Sequence, residues 1–308
     1  MRLRSYFSLA VLWGTFTCTT LTFASQPLRE GEWLPVRDGK MYGISGIATI
    51  ETQDDRMSFL VVHDNKSDDE GRLAIVTLSA TDSVTYSPLD WPVDWELPVD
   101  LESLTVVPPL ANSPEPRFMA ASSSGRVFYF RLDVSESEIE PIAIFDLPDL
   151  PSGSNLEGFA LEEIEGRLLA VWADRGSREK AATVYWSELD IANLSVDRIQ
   201  TVTLKVPWPE GNLRHISDLK IDDRGRLTIT SARDEGDDGP FDSAVYEAGR
   251  FRVAGDAIAL DLTSQWLPLG RYAGRKIEAI ELMTTPAGGT MLGTDDENFG
   301  SSVMRLTQ

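Results

Sequence analysis

The chain has 308 residues and carries 28 lysines and arginines against 49 aspartates and glutamates, a formal net charge of −21. So acidic a surface argues against nucleic acid or an anionic membrane as partner, and it suits a soluble monomer and divalent cations. The single cysteine, Cys18, excludes a disulfide framework.

The first element in chain order is a leader. "MRLR" is positive, "SLAVLWGTFTCTTLTF" is apolar and uncharged, and Thr22-Phe23-Ala24 offers small residues where a signal peptidase reads. Cleavage is expected after Ala24, giving a secreted or periplasmic protein. Cys18 lacks the small-residue run of a lipoprotein site. Without residues 1–24, 284 residues remain, with 26 basic and 49 acidic side chains and no cysteine. No later stretch is long and apolar enough to span a membrane. Residues 25–308 read as one domain, with no linker or low-complexity segment.

From Gly43 onward the chain repeats. "GISGIATI", "DLESLTVV", "NLEGFALE", "HISDLKID" and "KIEAIELM" begin at Gly43, Asp100, Asn155, His215 and Lys276. Their apolar leaders Ile44, Leu101, Leu156, Ile216 and Ile277 are spaced by 57, 55, 60 and 61 residues. Each segment is followed by a second apolar run ending in a polar cluster, a third run, and a looser Trp- and Pro-rich fourth. Period-two patterning and frequent turns predict an all-β fold. Four strands at this period predict propeller blades. The fifth unit stops after its third strand, and "GEWLPVRDGKMYG" at the other end resembles a fourth run. We therefore expect five four-stranded blades closed by the N-terminal strand, with six blades as the alternative.

The first two strands of a blade are antiparallel neighbours, so the start of one and the end of the other share a face. That rule brings Ser45, Glu102, Glu157, Ser217, Asp218 and Glu278 to one mouth of the channel. A ring of carboxylates there must take up protons, bind cations or pair with arginine. Asp218, Asp295, Asp296 and Asn298 offer the oxygens a Ca²⁺ site wants, although Asp and Asn are equally turn residues. Glu102, Glu157, Glu278, His63 and His215 are the candidate catalytic groups, with the histidines readable also as ordinary polar neighbours. Lys66, Arg175, Arg233 and Lys276 could hold an anionic substrate. The tryptophans Trp91, Trp95, Trp208 and Trp266 read as inter-blade packing. There is no nucleophile elbow, zinc spacing or phosphate-binding glycine loop.

The ordered set Ile44-Ser45-Gly46-Ile47, Asp100-Leu101-Glu102-Ser103, Asn155-Leu156-Glu157-Gly158-Phe159, Ile216-Ser217-Asp218-Leu219, Lys276-Ile277-Glu278-Ala279 and Asp295-Asp296-Glu297-Asn298-Phe299 resembles the esterase-like-activity-of-phytase family of exported bacterial β-propellers. The chain departs from that pattern at Glu102-Ser103 and Glu278-Ala279, where the family has Glu-Gly, and by Glu297 before the Asn. The resemblance implies hydrolysis of phosphoric or carboxylic esters. The mix of acids and bases at the mouth adds the expectation that carboxylates there hold Ca²⁺ to assist, with a small anionic ester as ligand. A non-catalytic binding propeller with structural calcium is the alternative. A glycosidase built on two funnel carboxylates is a third reading.

Overall fold

The computed structural model describes residues 31–306 except 54–55, 80–82, 110–115, 149 and 284–287. The leader and its cleavage site lie outside the described residues. Among the described residues five sheets account for the fold, each a four-strand blade, one of them with an added fifth strand. Blade 1 comprises Gly46–Gln53, Arg56–Val62, Leu73–Ser79 and Val84–Leu89, and blade 2 Leu101–Val106, Arg117–Ser122, Arg126–Asp133 and Glu138–Asp146. Blade 3 comprises Leu156–Ile164, Arg167–Asp174, Ala182–Asp190 and Ser195–Leu204. Blade 4 comprises Leu213–Ile221, Arg226–Arg233, Asp242–Ala254 and Ala257–Leu262, and Pro268–Ala273 adds a further pairing to its long third strand. Blade 5 has Ile277–Leu282, Thr290–Thr294 and Ser301–Leu306 from the end of the chain, and its outer strand is Leu34–Arg37 from the beginning. The expected five-bladed ring is thus observed, closed by the N-terminal strand, which removes the open edge that an unfinished blade would expose.

The first strand of each blade is the inner one. These five strands pack against one another in sequence, and that of blade 5 meets that of blade 1. Alternation along the strands then builds a core between each pair of blades. In the second strand of blade 3, Leu169, Val171 and Ala173 face blade 4, while Ala170 and Trp172 face blade 2. Trp91 and Trp95 stack 5.0 Å apart against Phe128 and Phe130, sealing blade 1 to blade 2, and Trp208 and Trp266 pack on the core between blades 3 and 4. Among the described residues no helix is long and apolar enough to cross a membrane.

One residue past the motif glutamates, the inner strands are tied across blades. Gly158 has no room for a side chain, since a Cβ would lie 2.7 Å from Leu219 of the next blade. Ser103 accepts the N–H of Phe159 at 2.8 Å. Asp218, fully buried, accepts N–H groups from Leu219 at 2.7 Å and from Ile280 of blade 5 at 2.9 Å. Burial pushes the Asp218 carboxyl up to about 7, against the pull of Lys220 and of those two N–H groups. Its ordinary value is 3.8, so the folded form holds a proton that the unfolded chain has already released. Stability should therefore fall as pH rises from about 4 to about 7 and level off above. Asp218→Asn keeps an acceptor but cannot ionise. Urea unfolding at pH 5 and pH 8 should show this variant losing less stability between the two pH values, by up to about 3 kcal/mol. An unchanged difference would reject this assignment.

Candidate active site

The mouth where the strand-one starts meet the strand-two ends is built by a repeated irregularity. In blade 2, Leu101 pairs with Ser122 and Ser103 with Ala121, leaving Glu102 unopposed. The same slip isolates Glu157 between Leu156 and Gly158 in blade 3, and Glu278 between Ile277 and Ala279 in blade 5. Each of the three glutamates is the extra residue of a β-bulge, which re-aims a side chain that regular alternation would have placed elsewhere. All three are buried.

Two of them are matched by cations. Arg175 Nη1 donates to Glu157 at 2.9 Å. Arg214, at the start of the blade 4 inner strand, sits between blades: its Nη1 lies 2.6 Å from Glu278 and 3.5 Å from both oxygens of Glu157, and its Nη2 is 2.5 Å from Asp234. Lys276 places Nζ 3.3 Å from Glu278, 3.0 Å from Asp295 and 2.5 Å from Glu297. Burial works against charge on Arg214 and Lys276. The carboxylates around them outweigh it and hold both well above their ordinary values, led by Glu157 for Arg214 and by Glu278 for Lys276.

The third glutamate differs. Glu102 is 6 % exposed and, among the described residues, makes neither a hydrogen bond nor an ion pair. Asp64, at the end of the second strand of blade 1, and Asp100, just ahead of the blade 2 inner strand, face it. The three offer carboxylate oxygens that all lie within 4.8 Å of one another, the single such group of His, Cys, Asp or Glu side chains among the described residues. Asp100 accepts a hydrogen bond from Ser123 at 2.5 Å and meets Lys66 Nζ at 3.0 Å, but Lys66 is 65 % exposed. Burial, reinforced by the charges of Glu157, Glu278, Asp64 and Asp100, holds the Glu102 carboxyl well above the usual carboxylate range. Burial and the nearby Asp295 push Asp64 up to about 7. The funnel therefore has an ion-paired half and a half short of positive charge.

The other expected site residues lie around this centre or away from it. His63 is buried, with Nδ1 2.5 Å from the Gly43 carbonyl and Nε2 3.0 Å from the Tyr86 hydroxyl. His215 accepts the Val206 N–H through Nδ1. Burial lowers both imidazoles, and neither belongs to the carboxylate group. Arg233 pairs with Glu235 at 2.9 Å and Asp242 at 3.3 Å. Asp295, Asp296, Asn298 and Asp218 do not converge. Asp295 turns to Lys276 and packs over Gly43, where a Cβ would strike its oxygen at 2.1 Å. Asp296 accepts from Arg275 at 2.5 Å, the Lys276 N–H at 2.8 Å and Thr294 at 3.0 Å. Asn298 donates to Asp238 at 3.0 Å, and Asp218 is committed to the backbone of two blades. The sequence reading missed Arg214 and Asp100 as site members. A signal for Asp100 is its left-handed backbone, φ 65°, just ahead of a motif glutamate.

No protein-family model matches the chain, and neither does any curated protein. Solved structures do resemble it. An exo-1,5-alpha-L-arabinanase from a bovine ruminal metagenomic library is 9 % identical over 88 % of this chain and 94 % of its own, with a TM-score of 0.50. An endo-arabinanase from Bacillus licheniformis is 8 % identical over 88 % and 96 %, with a TM-score of 0.46. An endo-1,4-beta-xylanase from Bacteroides thetaiotaomicron VPI-5482 is 10 % identical over 87 % and 92 %, at 0.47. At such identity a likeness shows the fold alone, and the fold it shows is the propeller. The resemblance to the esterase-like-activity-of-phytase family finds no support among these matches.

Proposed function

We propose that the protein is a hydrolase that cleaves a glycosidic bond at this channel mouth, with Glu102 as proton donor and Glu157 as the carboxylate working with it. The observation that carries the reading is the contrast between two buried glutamates. Among the described residues Glu102 has no hydrogen-bond or ion-pair partner, while Glu157 has countercharge from Arg175 and Arg214. Glycoside cleavage needs such a division: one carboxyl kept as an acid to protonate the leaving oxygen, the other charged to attack the sugar or activate water. An uncharged substrate fits, because Lys66, Arg175, Arg233 and Lys276 are each engaged by a carboxylate. Phe299, 62 % exposed beside Glu297, offers a ring face for a sugar at the rim. The arabinanase likeness adds an analogy of fold and assigns no residue. The leader-like residues 1–24 place the enzyme outside the cytoplasm in this reading.

The test is hydrolysis of a panel of aryl glycosides, with aryl phosphates and carboxylic esters beside them, in the presence of a chelator. Turnover of a glycoside should persist with chelator. It should fall as pH rises through the raised Glu102 value, because the acid form does the work. Failure to cleave any glycoside removes the reading. Cation-assisted cleavage of a phosphoric or carboxylic ester is the second reading, favoured by the Asp64–Asp100–Glu102 group. It requires ester turnover that disappears with chelator.

A further inference from the structure

We propose that Asp64, Asp100 and Glu102 form a divalent-cation site, suited to Ca²⁺, and that an ion bound there blocks the reaction at Glu102. The blocking half rests on the glycoside-hydrolase reading; the site itself does not.

Three features of the molecule converge on this group. The first is spacing. An ion of the calcium class holds its oxygens at roughly 2.3–2.6 Å, so ligands on opposite sides stand about 4.6–5.2 Å apart. The three carboxylates already bring their oxygens within 4.8 Å of one another. The second is the Glu102 side chain, buried and aimed into the group, where among the described residues no hydrogen bond or ion pair matches its charged form. A buried carboxyl in that state either keeps its proton or takes a positive partner. The third is contrast within the same funnel. Glu157, Glu278, Asp234, Asp295 and Glu297 share Arg175, Arg214 and Lys276, whereas among the described residues the one ion pair made by this group is with the exposed end of Lys66. An exposed ion pair of that kind holds little energy, so Lys66 can swing aside.

The ligand set also selects the class of ion. It is oxygen only, and neither histidine is a member. Three carboxylates fill part of a shell of six to eight, so water completes it. The blocking effect follows from shared use of one side chain. A Glu102 carboxylate that ligates an ion cannot hand a proton to a leaving group.

The experiment is calorimetric titration of chelator-treated full chain with CaCl₂ and with MnCl₂, repeated on Asp64→Asn, Asp100→Asn and Glu102→Gln. Hydrolysis and thermal unfolding are followed on the same samples. About one ion per chain is expected, with affinity at least tenfold weaker in every variant that still unfolds cooperatively. The ion should raise the Tm of the wild type and lower its turnover in step with occupancy. No binding to the wild type, or binding unchanged in the folded variants, overturns the site. Binding with turnover of glycosides unaffected overturns the blocking role and leaves the site. Binding that switches on ester turnover also overturns the blocking role and favours the cation-assisted reading. Binding to a chain that hydrolyses nothing removes the hydrolase reading while the site stands.

Discussion

Arg214→Met should destabilise the protein by about 3–5 kcal/mol, the cost typical of stripping one partner from a buried ion network. Methionine retains much of the side-chain volume, so the change isolates charge from packing. Arg214 is 18 % exposed and touches carboxylates from three places: Glu157 of blade 3, Glu278 of blade 5 and Asp234 of its own blade. Its loss leaves Glu157 with Arg175 alone and Glu278 with a Lys276 already shared with Asp295 and Glu297, so the buried carboxylates are left short of countercharge. The arginine therefore acts as a cross-blade tie at a level where the inner strands are bulged and their ladder hydrogen bonds interrupted. Urea unfolding at pH 7 measures the effect directly. A loss below about 1 kcal/mol, the scale of an exposed pair, would mean that the network is solvated and that the funnel is not the low-dielectric site argued above.

Glu102→Gln should behave in the opposite way. Here there is no partner to strand, and the amide has nearly the shape of the carboxylic acid it replaces. Tm should stay within a few degrees, while turnover falls by about 10²–10⁴, the usual contribution of a positioned proton donor. The combination is the informative part. A residue retained for folding would lose stability on substitution, and a bystander would change neither quantity. Glu157→Gln would not separate the roles so cleanly, because it also removes the partner of Arg175 and Arg214.

The architecture was open to reading because a propeller writes its period into the chain. Inner-strand leaders recur at nearly constant spacing, and the unit lacking a strand at one end was completed by a matching run at the other. The three funnel glutamates were legible for the same reason: Glu102, Glu157 and Glu278 hold one position of the repeat. What the repeat did not convey is how charge is shared. Blades 1 and 4 carry Ser45 and Ser217 where blades 2, 3 and 5 have Glu, and at blade 4 Arg214, standing just ahead of the repeat segment that begins at His215, reaches into the gap. No pattern within one blade marks that residue. Asp64 and Asp100 are similarly split, Asp64 following the second strand of blade 1 and Asp100 preceding the first strand of blade 2, and the packing of these two neighbouring blades brings Asp64 to Glu102. The run Asp295-Asp296-Glu297-Asn298 misled by density. Consecutive side chains diverge, and these find Lys276, Arg275, the backbone and Asp238 rather than one common point.

The measurement that bears most directly on the central claim is hydrolysis of the glycoside panel by wild type and Glu102→Gln side by side, in chelator, on protein shown to be equally folded. The account predicts a glycoside cleaved by the wild type and at least a hundredfold slower by the variant. Equal rates for the two proteins, or cleavage by neither, would contradict it.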